Sequence, residues 1–280
     1  MQTRTPIAPG FLTAPTFSAP ITIDAAAITA NGSNVFSGNW ARDTYSNAGD
    51  ATRAAVFIAT TQPVIIENSI IRGQNDCIAS VLTGTNVTVR NCVGLSRNTT
   101  QAGMSSGRFV NLYQPASVVV ENNSISGGSG IYTNGSAPGG TTTYRVRFNR
   151  MRNINGLLSD GAGWWLIERA NIPVTYFYKY QLVQINSGTF PNGAEIAWNE
   201  VVNDPFVSRP EDNFNTGSCV GAVAAPVRFH DHCARGGCPS RPYDVASRSG
   251  TGFVIEGATS KYIDIDDNQV IGVANIGIGI

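Results

Sequence analysis

The chain has 280 residues, enough for one large domain or two small ones with a substantial core. Charged residues are only 14%, and 19 Lys and Arg balance 19 Asp and Glu, which favours neither nucleic acid nor an anionic membrane surface as a partner. No apolar run approaches the roughly 20 residues of a membrane span, and no basic segment followed by an apolar core marks a signal peptide.

Residues 1–20 form a Pro- and Ala-rich arm, from Thr5-Pro6-Ile7-Ala8-Pro9 to Ser18-Ala19-Pro20. Such a segment is a flexible tail or an extended strip packed over its neighbour. Residues 21–50 are expected to cap the N-terminal end of a repeat region.

From residue 51 to 280 one pattern recurs: apolar, any, apolar, any, any, polar, any, apolar. Val64 to Ile71 carries it with Ser69 in the polar slot, and Val87 to Gly94 with Cys92. The clearest copy is Val118-Val119-Val120-Glu121-Asn122-Asn123-Ser124-Ile125. Tyr144 to Met151 places Asn149 there, Ala194 to Val201 Asn199, Val227 to Ala234 His232, and Ile263 to Val270 Asn268. The slots lie 23 to 36 residues apart, except for a gap of 50 between Asn149 and Asn199. That gap has room for a disguised rung within Gly163 to Tyr180.

A second strand precedes many copies, as at Ala55–Ile58, Ile78–Val81, Phe109–Leu112, Leu182–Ile185 and Phe253–Ile255. A third is expected after several of them, at Gly130–Tyr132 and Gly156–Leu158. Turn residues such as Thr83-Gly84-Thr85-Asn86 separate the strands. Three short strands per repeat without helical periodicity predict an all-β fold, a right-handed parallel β-helix of about seven to eight rungs. Stacked Asn amides both donate and accept, which suits a ladder running through the rungs. An immunoglobulin-like sandwich is the rival, but antiparallel hairpins would not keep one slot order so long.

The five cysteines are Cys77, Cys92, Cys219, Cys233 and Cys238, and the last three allow a disulfide in an oxidising compartment. The final stretch, Asn275 to Ile280, alternates Ile with Gly like one more strand rather than a polar cap. It reads as a solenoid cut mid-rung or one completed by another chain, the second reading implying head-to-tail oligomers or filaments.

The repeat and its Asn slots resemble the pectate-lyase-like superfamily of right-handed parallel β-helices, over roughly residues 50 to 280. The resemblance implies a polysaccharide-facing, extracellular or cell-surface protein. Enzymes of that kind work on the outward face of one sheet with clustered carboxylates, often with calcium and an Arg or Lys base. Their Asn-Thr-Asp, Asp-Asp, Gly-His-Gly and Arg-Ile-Lys elements are absent here, and Ser208-Arg209-Pro210-Glu211-Asp212 is only a fragment of Arg-x-Pro-x-x-Arg.

Two outward columns arise from the repeat. Glu67, Arg90, Glu121, Arg147, Ala197, His230 and Asp266 form one; Ile65, Thr88, Val119, Arg145, Glu195, Arg228 and Asp264 form the other. In the first column signs alternate over the first four rungs, which favours cross-strand ion pairs over a calcium site. Asp264, Asp266 and Asp267 are the exception: a calcium site with Arg228 as catalytic base, or a solvated acidic patch. His230, His232, Cys233, Cys238 and Cys219 are potential zinc ligands, although their spacing fits no standard motif. Trp164 and Trp165 with Asp160 and Tyr178 are candidates for sugar stacking, or for packing over a rung. Asp160, Asp204, Glu211 and Asp212 are candidate acids for glycoside hydrolysis.

These features point first to a glycan-binding or structural appendage β-helix, its partner a polysaccharide or cell-surface glycan. The alternative is a polysaccharide lyase or glycosidase of the same fold, with no cofactor other than calcium.

Overall fold

Short apolar alternations, each ended by a residue that bends the chain, give strands too short to stand alone, so each stacks on its own next copy. The computed structural model describes residues 20–42, 53–96, 101–162, 165–166 (backbone only), 179–205, 207–237 and 250–280. The described strands form a right-handed parallel β-helix of three parallel sheets. The first sheet has nine strands, from Ile21–Ile23 to Ile278–Gly279. The second has eight, from Val35–Phe36 to Ile263–Asp266, and the third eight, from Asn39–Arg42 to Gln269–Ile271. One turn visits them in that order, as in Arg108–Tyr113, Ser117–Glu121 and Ser124–Ser126. Register is maintained across rungs: Val118 faces Val87 on one side and Tyr144 on the other.

Period-two alternation sends every second side chain inward. Val64, Ile66, Val87, Val89, Val118, Val120, Tyr144 and Val146 are buried in one continuous core. Towards the later rungs the filling becomes aromatic: the Phe214 and Phe253 rings stack 4.6 Å apart, and His232 lies 4.4 Å from Phe214. The helix Ala25–Asn31 is capped by Asp24, whose carboxylate accepts from Ala27 N at 2.8 Å, and by Gly32 at φ 61°. Its Ile28 packs against the first rung of the core. At the far end Ile263, Ile265 and Val270 are only half-buried, and Ile276, Ile278 and Ile280 are exposed.

The polar slots form a buried ladder. Asn149 Oδ1 accepts from Asn123 N at 3.2 Å and from Asn123 Nδ2 at 2.9 Å. Its Nδ2 donates to Val120 O at 2.8 Å and to Asn199 Oδ1 at 2.9 Å. Each Asn therefore satisfies the backbone N–H that the bend of the preceding rung leaves unpaired and donates a second bond to a carbonyl of that bend. Asn123 does the same for Cys92 N and Val89 O, Asn199 for Asn149 N and Val146 O, and Asn268 for His232 N and Phe229 O. His232 enters through Nδ1, which accepts from Asn199 N at 3.0 Å and is therefore unprotonated.

The bend is made by the residue before each slot. Asn68, Asn91, Asn122, Phe148, Trp198, Asp231 and Asp267 all adopt left-handed backbone, with φ between 47° and 56°. This residue ends the second-sheet strand, and the third-sheet strand begins one residue after the slot. The third strand of a rung is thus the Ile125 or Met151 strand, and Gly130–Tyr132 instead belongs to Ser129–Asn134, which opens the next rung in the first sheet. The correction has a physical cause: the eight-residue pattern spans a corner, so it contains two strands.

The disguised rung is also corrected. Thr143–Arg147 pairs directly with Ala194–Ala197, and Ser129–Asn134 with Val183–Asn186, so the 50-residue gap is one rung with an excursion. A bend tolerates such an insertion because the flanking strands keep their register. The excursion carries the antiparallel pair Leu158–Ser159 and Trp165–Leu166. The eighth second-sheet strand is Val35–Phe36, followed by Gly38 in the slot position, where its N donates to Ser69 Oγ at 3.1 Å. Residues 1–19 of the Pro-rich arm lie outside the described residues. Cys77, Cys92, Cys219 and Cys233 are free thiols, so no Cys219–Cys233 disulfide forms, and Cys238 lies outside the described residues.

Candidate functional site

The outer face of the second sheet carries both charge columns in register. Glu67 faces Arg90, Arg90 faces Glu121, and Glu121 faces Arg147. Arg90 bonds Glu67 at 2.7 Å, and Arg147 bonds Glu121. Arg147 also reaches diagonally to Glu195 at 3.0 Å. These pairs are partly exposed, worth about 0–1 kcal/mol each.

Beyond Arg147 the face opens into a cleft of about 420 Å³. This volume lies within the usual range of ligand sites, about 300–1,000 Å³. Its floor is Arg145, Glu195, Arg228 and His230, from three successive strands of the sheet. One wall is the line of turns entering that sheet, including Thr142, Asn192 and Pro226. Arg145 is exposed and has no partner among the described residues. Arg228 lends one nitrogen to Asp266 at 2.9 Å.

His230 is built differently. Its side chain is only 8% exposed, Nδ1 lies 2.9 Å from Asp231 Oδ2, and Nε2 stands 3.8 Å from Glu195 Oε1 with no hydrogen bond among the described residues. A buried ring nitrogen left unpaired is costly. The Asp231 carboxylate at Nδ1 orients the ring.

An aromatic pair packs against His230. Trp198 meets the His230 ring edge-on at 5.0 Å and stacks on Phe148 at 5.1 Å with 7° between planes. The Arg147 guanidinium lies 5.9 Å from the Phe148 ring centre. Both aromatics are half-buried and occupy the left-handed bend position that five other rungs give to Asn or Asp. Left-handed backbone costs an L residue about 1–2 kcal/mol, and short polar side chains offset it by local hydrogen bonding. Two bulky rings held there on successive rungs are a strained feature that the bend itself does not require.

The other candidates are scattered. Asp266 turns to Arg228, Asp264 and Asp267 are exposed, and among the described residues no three His, Cys, Asp or Glu side chains are grouped to hold a metal. The calcium and zinc expectations therefore find no assembled ligand set. His230 and Cys233 point outward while His232 enters the ladder, because strand alternation separates neighbours. Asp160 accepts from Ala162 N at 2.7 Å within its own turn. Asp204 accepts from Arg152 and Asn153, both at 3.1 Å, and those bonds hold its pKa below the ordinary value.

Glu211 and Asp212 sit together at the entry to the first-sheet strand Asp212–Gly217. Gln181 Nε2 donates to Glu211 at 2.8 Å, and Lys179 bonds it at 3.1 Å. Burial, then repulsion from Asp212, pushes the Glu211 pKa up, and burial does the same to Asp212. They lie on a different sheet from the cleft. Trp164 and Tyr178 lie outside the described residues, as does the side chain of Trp165.

Trp198 was among the aromatics that sequence offered for sugar stacking, but its pairing with Phe148 went unread, although a signal was present: each directly precedes a ladder Asn. Comparison with known protein families, curated proteins and solved structures finds no match for the chain.

Proposed function

We propose that this is a polysaccharide-binding β-helix of the pectate-lyase-like kind, extracellular or at the cell surface, taking an acidic glycan in the second-sheet cleft. One observation carries the reading: an unpartnered Arg145 on the cleft floor, with the strained Phe148–Trp198 platform packed against His230 of the same floor. Aromatic faces stack on pyranose rings, and a guanidinium pairs a carboxylate or sulfate through paired donors. The test is binding of the purified chain to a glycan array, repeated with Arg145→Gln and Trp198→Asn. Each variant should weaken binding to acidic glycans by about tenfold, the equivalent of 1.4 kcal/mol. Unchanged binding in both variants would refute the reading.

A second reading, an acidic-polysaccharide lyase or glycosidase, is favoured by the His230–Asp231 pair set into the cleft floor. A depolymerisation panel with and without calcium, with His230→Gln as control, separates enzyme from binder. End-to-end association of such solenoids is a further proposal, tested by light scattering across a concentration series.

A further inference from the structure

We infer that the polysaccharide taken by the cleft runs along the helix axis and carries one negative charge on every second sugar. The inference rests on the binding reading above and concerns the spacing of charges on the cleft floor. Arg145 faces Glu195, and Glu195 faces Arg228, on three consecutive strands. Parallel strands lie about 4.8 Å apart, so the two arginines are separated by about 9.6 Å of backbone with a carboxylate midway. Asp264 lies on the next strand, which completes a plus, minus, plus, minus column with a two-rung period.

These charges do not cancel within their own column. Glu195 pairs diagonally with Arg147, and Arg228 with Asp266, so Arg145 faces the cleft unpaired. Arg147 is already shared with Glu121, so two carboxylates divide one guanidinium. The Glu195 rung therefore keeps an excess of negative charge between two cationic rungs.

The cleft spans three successive strands of the sheet, with the turns carrying Thr142, Asn192 and Pro226 repeating along one side. A linear chain laid along the axis there crosses one strand after another. A pyranose residue in an extended chain advances by about one strand spacing. A polymer charged on every residue would thus set an anion against Glu195. One charged on alternate residues sets its anions on Arg145 and Arg228, and offers Glu195 the hydroxyls of the sugar between.

The test is calorimetric titration of the full chain with size-matched oligosaccharides of hyaluronate, of polygalacturonate and of neutral xylan. Hyaluronate carries a carboxylate on alternate residues and polygalacturonate on every residue. Hyaluronate oligomers are expected to bind at least about fivefold more tightly than galacturonate oligomers, the size of one like-charge contact near a wet surface. Glu195→Gln should narrow that gap by strengthening galacturonate binding. Arg145→Gln should weaken hyaluronate more than Arg228→Gln does, since Arg228 is already partly neutralised. Equal binding of the two acidic oligomers, or a gap unchanged by Glu195→Gln, overturns the spacing inference while loss of both on Arg145→Gln leaves the acidic-glycan reading standing. Xylan binding as tightly as hyaluronate with no response to Arg145→Gln, or no binding by any of the three, overturns both.

Discussion

Replacing Asn149 by Leu tests the ladder where it is most deeply buried. Leu keeps the branched outline and heavy-atom count but removes every polar atom of the side chain and adds bulk, which a packed core resists. Asn123 N and one Asn123 Nδ2 hydrogen then lose their acceptor, and Val120 O loses the amide that bonds it at 2.8 Å. Asn199 Oδ1 keeps Asn149 N at 2.9 Å, so it is not orphaned. Val120 O keeps its ladder bond from Arg147 N, so two buried donors are left unsatisfied at about 1–3 kcal/mol each. The sum is about 2–6 kcal/mol, a large share of the roughly 5–15 kcal/mol that holds a domain together. Asn268→Leu serves as the internal comparison, because Asn268 is half-buried and water replaces what it loses. Urea unfolding followed by circular dichroism should show a much lower midpoint for Asn149→Leu, with a clearly smaller drop for Asn268→Leu. A loss below about 1 kcal/mol, or equal losses at both sites, would refute the view that these amides complete the bends.

Other expectations come from the bends and the buried titratable groups. Phe148→Asn should leave the melting temperature within a few degrees, because Asn accepts the left-handed bend, yet weaken glycan binding; a large stability loss would make the ring structural. Burial holds His232 from its ordinary pKa of 6.5 down to about 3. A depressed folded pKa gives stability that is present above 6.5 and lost as pH falls towards 3. Urea midpoints measured across that window should fall for the native chain and stay flatter for His232→Asn. Glu211 behaves in the opposite sense: its raised pKa gives stability present below the ordinary carboxyl pKa and lost as pH rises through the folded one. Glu211→Gln should therefore raise the thermal midpoint at pH 7 relative to the native chain, and the gain should vanish in acid.

The sequence by itself determined the rung. Period-two alternation and a recurring polar slot are local properties, and parallel stacking repeats them without further information, so the slots Asn123, Asn149, Asn199 and Asn268 and the column Glu67, Arg90, Glu121, Arg147 were legible residue by residue. Only the tertiary structure decided which corner absorbed the extra residues between Asn149 and Asn199. A bend accepts an insertion of any content, and nothing local distinguishes a disguised rung from an excursion. It also decided where the pattern turned, since a left-handed residue leaves no mark on hydrophobic periodicity when that residue is Phe or Trp. The cleft belongs to the same class of facts. Phe148 meets Trp198 because those two bends lie on adjacent rungs, and Glu195 turns to Arg147 rather than to Arg145 beside it. Such choices depend on distances between side chains that sequence separation does not encode.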